Sequence, residues 1–138
     1  MDGRLLDVSA ESREQVVGAL AEVLHSEITV VFAYLHGSFA TGGPFHDIDV
    51  AVFLDDSAVR DTVRGLDLAD RSSRATGYPV DVRVLNDASL AFQFRALQGK
   101  LLVVHDDEKL ANFMERVGRL YLDIALLLRR ATREAFVR

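Results

Sequence analysis

"LHGSFATGGPFHDIDVAVFL", residues 35–54, decides the fold. Two apolar runs flank a glycine-rich turn, and the second run opens with Asp47 and Asp49 separated only by Ile48. The first run extends back through "ITVVFAYLH" (28–36), whose β-branched and aromatic residues read as a buried strand, and "DIDVAVFL" (47–54) reads as a second. Residues two apart in a strand project to the same side, about 6.6 Å apart. Asp47 and Asp49 therefore share one face while Ile48 and Val50 take the other. Two carboxylates held on one rigid face repel each other, and burying them is costly unless something compensates the charge.

A divalent cation resolves that repulsion. Hard carboxylate oxygens suit Mg²⁺, which keeps some waters and completes its shell with phosphate oxygens. Asp81, early in "VDVRVL" (80–85), is the third candidate, brought beside the first two if that segment is a neighbouring strand. Three carboxylates can hold two metals about 4 Å apart, flanking an in-line displacement at phosphorus. A plainer alternative stands beside this: Asp47 as a strand-start residue and Asp49 facing solvent at a sheet edge. An EF-hand is excluded, because apolar "VAVF" follows where further polar ligands and a glycine are needed.

The turn itself carries a second signal. Gly37 and Ser38 end the first strand and open a turn or short helical start, where outward N–H groups favour a phosphate. Without a side chain, Gly37 lets that phosphate approach, and the Ser38 hydroxyl can donate a further hydrogen bond. Gly42 and Gly43 permit the tight return into the second strand. The alternative is a plain hairpin-like connection. No Walker motif occurs anywhere in the chain.

Working outward, Ser12 and Gln15 read as a capping box before a helix reaching about His25. Asp55-Asp56-Ser57 reads as the cap of a helix running to about Thr76, ended by Gly77 and Pro79. A short helix is expected over 88–98, stopped by Gly99, then a fourth strand in "KLLVVH" (100–105). From Asp107 onward, Leu110, Phe113, Met114, Val117, Tyr121, Ile124 and Leu128 mark one face of a long terminal helix. Its further apolar residues Leu126, Leu127 and Phe136 spread around more than one face. This order predicts an α+β (α/β-like) fold: a mixed sheet with helices on one side, the three aspartates converging at one end.

Composition bounds the rest. A chain of 138 residues, 49% hydrophobic and 27% charged, predicts one globular domain. No apolar run reaches the length of a membrane span, and the first residues lack the pattern of a secretion signal, so no membrane role is expected. The absence of cysteine suits a reducing, cytoplasmic setting. A net charge of −5 argues against direct nucleic-acid binding. His25, His36, His46 and His105 show no metal-ligand spacing to one another.

Together "GSFATG", "DID" and "VDVRVL" resemble the signature of the minimal nucleotidyltransferases (MNT) of the polymerase β superfamily. The likeness continues through an arginine-containing helix, a G-x-L-L turn and the terminal "FMERVGRLYLDIALLLRR", which is similar to the closing helix of MNT proteins that pair with HEPN toxins. The resemblance implies a single minimal nucleotidyltransferase domain over 1–138, with 107–136 as its C-terminal helix. It carries metal binding and catalysis to Asp47, Asp49 and Asp81, and nucleotide binding to Gly37, Ser38, Asp47 and Asp49. Eight residues separate Ser38 from Asp47, two fewer than is common in the family; His46 stands where serine is frequent, and Thr41 where arginine is frequent.

The activity this implies is a Mg²⁺-dependent transfer of AMP from ATP, with two ions, to a tyrosine of a partner HEPN RNase toxin. Such an antitoxin would silence its partner by modification. Two alternatives are carried: an antitoxin that neutralises the toxin by contact alone, and a small-molecule nucleotidyltransferase. ATP, a HEPN toxin and a second copy of the chain are the expected partners. Base preference and the roles of His46 and Arg95 are not readable from sequence.

Overall fold

The run Val30–Leu35 is buried without a break. A strand covered on both faces must lie inside a sheet that is itself sandwiched. The computed structural model, which describes residues 4–61 and 63–136, shows this arrangement. The elements are α1 (Ala10–Ser26), β1 (Val30–His36), α2 (Gly37–Ala40), β2 (Ile48–Leu54), α3 (Arg64–Thr76), β3 (Val80–Val84), α4 (Leu90–Leu97), β4 (Lys100–Val104) and α5 (Asp107–Phe136). The sheet order is β3-β2-β1-β4. β1 runs antiparallel to β2 and β4, and β3 runs parallel to β2, so the sheet is mixed.

Helices cover both faces, which corrects the expectation of one covered side. On one face Ala33, Leu35, Val50 and Val52 pack against Leu20 and Leu24 of α1 and Leu68 of α3. On the other, Phe32, Tyr34 and Ala51 meet Phe92 and Ala96 of α4 and Leu110, Phe113 and Val117 of α5. A register shift between Val30 and Phe32 turns Val31 and Phe32 together toward this second face.

Two helix starts differ from expectation. Helix α1 begins at Ala10, capped by Ser9, whose side chain accepts from the Ser12 N–H at 3.2 Å. The expected cap, Ser12, is the residue being capped: a serine three residues earlier offers the same chemistry. Likewise the helix expected from residue 55 begins at Arg64. The Asp55 carboxylate accepts from the N–H groups of Ser57 and Ala58, closing a turn rather than a helix. Asp61 then accepts from Val63 and resets the chain. Residue 62, inside the span expected to be helical, lies outside the described residues.

Helix α5 is buried only at its start. Beyond Val117 every described side chain is exposed, although the Tyr121 ring stacks on Phe94 with centroids 3.7 Å apart. Leu120, Leu122, Ile124, Leu126, Leu127 and Leu128 are between 41% and 64% exposed. The Phe136 side chain lies outside the described residues. No helix among the described residues is long and apolar enough to cross a membrane.

Candidate active site

Three strands place one residue each in a single row. His36 of β1 pairs with Asp49 of β2, and Asp49 pairs with Asp81 of β3. Neighbouring strands lie roughly 4.8 Å apart, so the Asp49 and Asp81 backbones are immediate neighbours. The row faces α4: the His36 ring meets Phe92 edge-on at 5.4 Å, and the Arg83 guanidinium, two residues beyond Asp81, lies 4.7 Å from the same ring. Asp47 stands one residue before β2 and is half-buried, as is Asp49, whereas Asp81 is exposed at the mouth. Asp81 and Arg83 line a cavity of about 710 Å³ with Phe92 and Arg95.

The electrostatics follow from this crowding. Burial, then the charges of Asp47 and Asp81, push the Asp49 carboxyl up to about 6, against a smaller opposing pull from Arg83. His36 moves the other way: burial and the nearby Arg83 and Arg95 guanidiniums lower its pKa, with Asp81 opposing. Its buried Nε2 has no hydrogen-bond partner among the described residues.

Gly37 holds φ at +79°, and a Cβ there would run into Asp49 Oδ2. Only glycine lets the turn lie against that carboxylate. The turn is fixed from two directions. Gly43 N–H and Thr41 Oγ1 both donate to the Ser38 carbonyl, at 3.1 and 3.0 Å. From α1, Arg13 donates to the carbonyls of Phe39 (2.9 Å) and Gly43 (2.8 Å) while its guanidinium sits 4.9 Å from the Phe39 ring centroid. Ser38 is exposed in this clamped loop.

The strand register thus gathers Asp49, Asp81 and Gly37, with Asp47 close enough to raise the pKa of Asp49. His46 is exposed beside Asp47. Sequence reading missed His36, Arg83, Phe92 and Arg13. The first three depend on strand register and on the seat of α4, while Arg13 acts across 26 residues. Only the position of His36 immediately before Gly37 hinted at proximity.

Among the described residues, no three acidic or histidine side chains are set to hold one metal ion. The donor chemistry nevertheless fits Mg²⁺: hard oxygens, mutually repelling, beside a turn open to phosphate. Such an ion needs only one or two carboxylates when waters and substrate phosphates complete its shell.

The model of the family described as Polymerase beta, Nucleotidyltransferase matches residues 19–109, from within α1 into the first turn of α5. The chain belongs to this family. Among solved structures it is similar to a chain of the tri-AMPylated Shewanella oneidensis HEPN toxin in complex with MNT antitoxin. That match has TM-score 0.65 and 19% identity, covering 91% of this chain and 99% of that one. It is also similar to a chain of a toxin-antitoxin structure with AMP-PNP, at TM-score 0.67 and 21% identity, covering 88% and 98%. A structure of the toxin-antitoxin MntA-HepT gives TM-score 0.64 and 19% identity, covering 90% and 99%. Comparison with curated proteins gives no match.

Proposed function

We propose that the chain is an MNT antitoxin that transfers AMP from ATP to a tyrosine hydroxyl of a HEPN toxin partner. The observation carrying this reading is the in-register pairing of Asp49 with Asp81 beside the glycine turn at Gly37. The nucleotidyltransferase family assignment supports the reaction class, and the similar chains described with an AMPylated toxin and with AMP-PNP support the acceptor and the donor.

Asp47, Asp49 and Asp81 are the residues that would hold Mg²⁺, which when bound offsets triphosphate charge and favours loss of the acceptor proton. Gly37 leaves room for a phosphate at the turn, and Ser38 offers a hydroxyl donor. The acceptor oxygen bonds to the α-phosphorus, the bond to the outer phosphates breaks, and pyrophosphate leaves. Asp81, exposed at the cavity mouth, would serve either as a ligand of that ion or as the acceptor of the hydroxyl's proton. Preorganised charge and position, rather than a covalent enzyme intermediate, supply the acceleration. The exposed apolar part of α5 is the surface offered to the partner.

That same surface favours a second reading, neutralisation by contact alone. Incubation with labelled ATP, Mg²⁺ and a co-encoded HEPN protein separates the two. Transfer predicts label on a toxin tyrosine, lost together with protection in Asp47→Ala/Asp49→Ala. Full protection by the double variant in cells would overturn the catalytic reading.

A further inference from the structure

On the β4 side of the glycine turn lies a second cavity, about 530 Å³, bounded by Gly37 and Thr41 on one wall and by Arg95 and Lys100 on the other. Its existence depends on Gly99. A Cβ at that position would run into the Leu35 carbonyl oxygen, so only glycine lets the link from α4 to β4 close against the end of β1. That closure sets Lys100 in register with Leu35, two residues before Gly37.

The charge here is out of keeping with the whole. The chain carries a net −5, yet neither Arg95 nor Lys100 makes an ion pair among the described residues. Both are exposed, so their cations are solvated rather than neutralised. Position 41, facing the same space, contributes no charge, and the Thr41 hydroxyl is already committed to the Ser38 carbonyl. The aspartates lie on the other side of Gly37. An extended polyanion crossing the turn would meet carboxylates at one end and two unpaired cations at the other.

We propose that this cavity seats the outer two phosphates of the nucleotide, with Arg95 and Lys100 as the residues that bind them. Arg95 borders both cavities, so it stands where a chain of phosphates would pass from one to the other. Guanidinium and ammonium groups suit phosphate oxygens through charge-assisted hydrogen bonds. The inference rests on the nucleotide-transfer reading above and adds the side from which the leaving pyrophosphate is held.

Calorimetric titration of the full chain with ATP, with inorganic tripolyphosphate and with AMP, all in Mg²⁺, tests it. Arg95→Gln and Lys100→Gln should each weaken ATP and tripolyphosphate about tenfold, the loss of one charge-assisted bond. AMP, lacking the outer phosphates, should bind both variants as it binds wild type, and circular dichroism should show both folded. If the variants hold ATP and tripolyphosphate as tightly as wild type, or lose AMP equally, this seat is wrong while the nucleotide reading stands. If wild type takes up neither ATP nor tripolyphosphate, both readings fall.

Discussion

Asp49 and Asp81 are paired residues of two parallel strands, their side chains on the same face of the sheet. Pairing like charges across a sheet costs stability, and here the cost falls on Asp49, which is also half-buried. Destabilisation of this kind at a defined spot is typical of functional sites.

Because the folded-state pKa of Asp49 is raised, from 3.8 to about 6, the folded protein binds the proton more tightly than the unfolded chain. The ionised group therefore destabilises the fold above about pH 6, and protonation relieves this as pH falls from 6 toward 4. Without metal, Asp49→Asn should melt above wild type at pH 7 to 8. The advantage should vanish near pH 4, as followed by thermal denaturation across that range.

Mg²⁺ with ATP should raise the melting temperature of wild type at neutral pH. At a ligand concentration about 100 times Kd the gain is about 2.7 kcal/mol. Asp49→Asn should lose the shift while remaining folded. In wild type the shift should shrink below pH 6, where the proton and the cation compete for one carboxylate.

Gly37 and Gly42 both hold positive φ, +79° and +89°, but only at Gly37 would a Cβ meet the Asp49 carboxylate. Each substitution to alanine should cost about 1 to 3 kcal/mol through backbone strain, measured by urea unfolding. Gly42→Ala should keep its nucleotide-dependent thermal shift, and Gly37→Ala should lose it.

Arg13 joins α1 to the turn through two carbonyls and an aromatic face, with its side chain 13% exposed. Arg13→Ala should destabilise by about 1 to 3 kcal/mol. Arg13→Lys should recover little, since a single ammonium cannot span the Phe39 and Gly43 carbonyls in the same plane. Faster amide exchange across residues 38–43 would report the loosened loop.

The strands were readable because their apolar runs are long and bounded by glycine and polar residues. Each strand except the first begins within a residue of its expected place; β1 begins at Val30 rather than at Ile28, which stands outside it and is 81% exposed. The starts of α1 at Ala10 and of α3 at Arg64 differ from expectation because serine and aspartate cap turns as readily as helices, and only tertiary contact decides. The two-sided burial of β1 was legible in six uninterrupted apolar residues, yet periodicity alone does not say what covers each face. Asp47 and Asp49 could be placed on one face from spacing. The Asp49–Asp81 pairing and the entry of His36 into the same row depend on register, which local sequence leaves open.

The far half of α5 has a consequence for how long the protein survives. Residues 118–135 form roughly 27 Å of helix whose described side chains are all exposed. Apart from Tyr121 on Phe94, that stretch is held chiefly by its own backbone hydrogen bonds, without the packing of an amphipathic face that supplies most of a helix's stability in proteins. Its local opening therefore costs far less than unfolding the sheet. A protease meeting the lone chain should cut there first and leave the aspartate row intact. A partner seated on Leu120, Ile124 and Leu127 would close that cut site, so each complex formed would also lengthen the life of the chain within it.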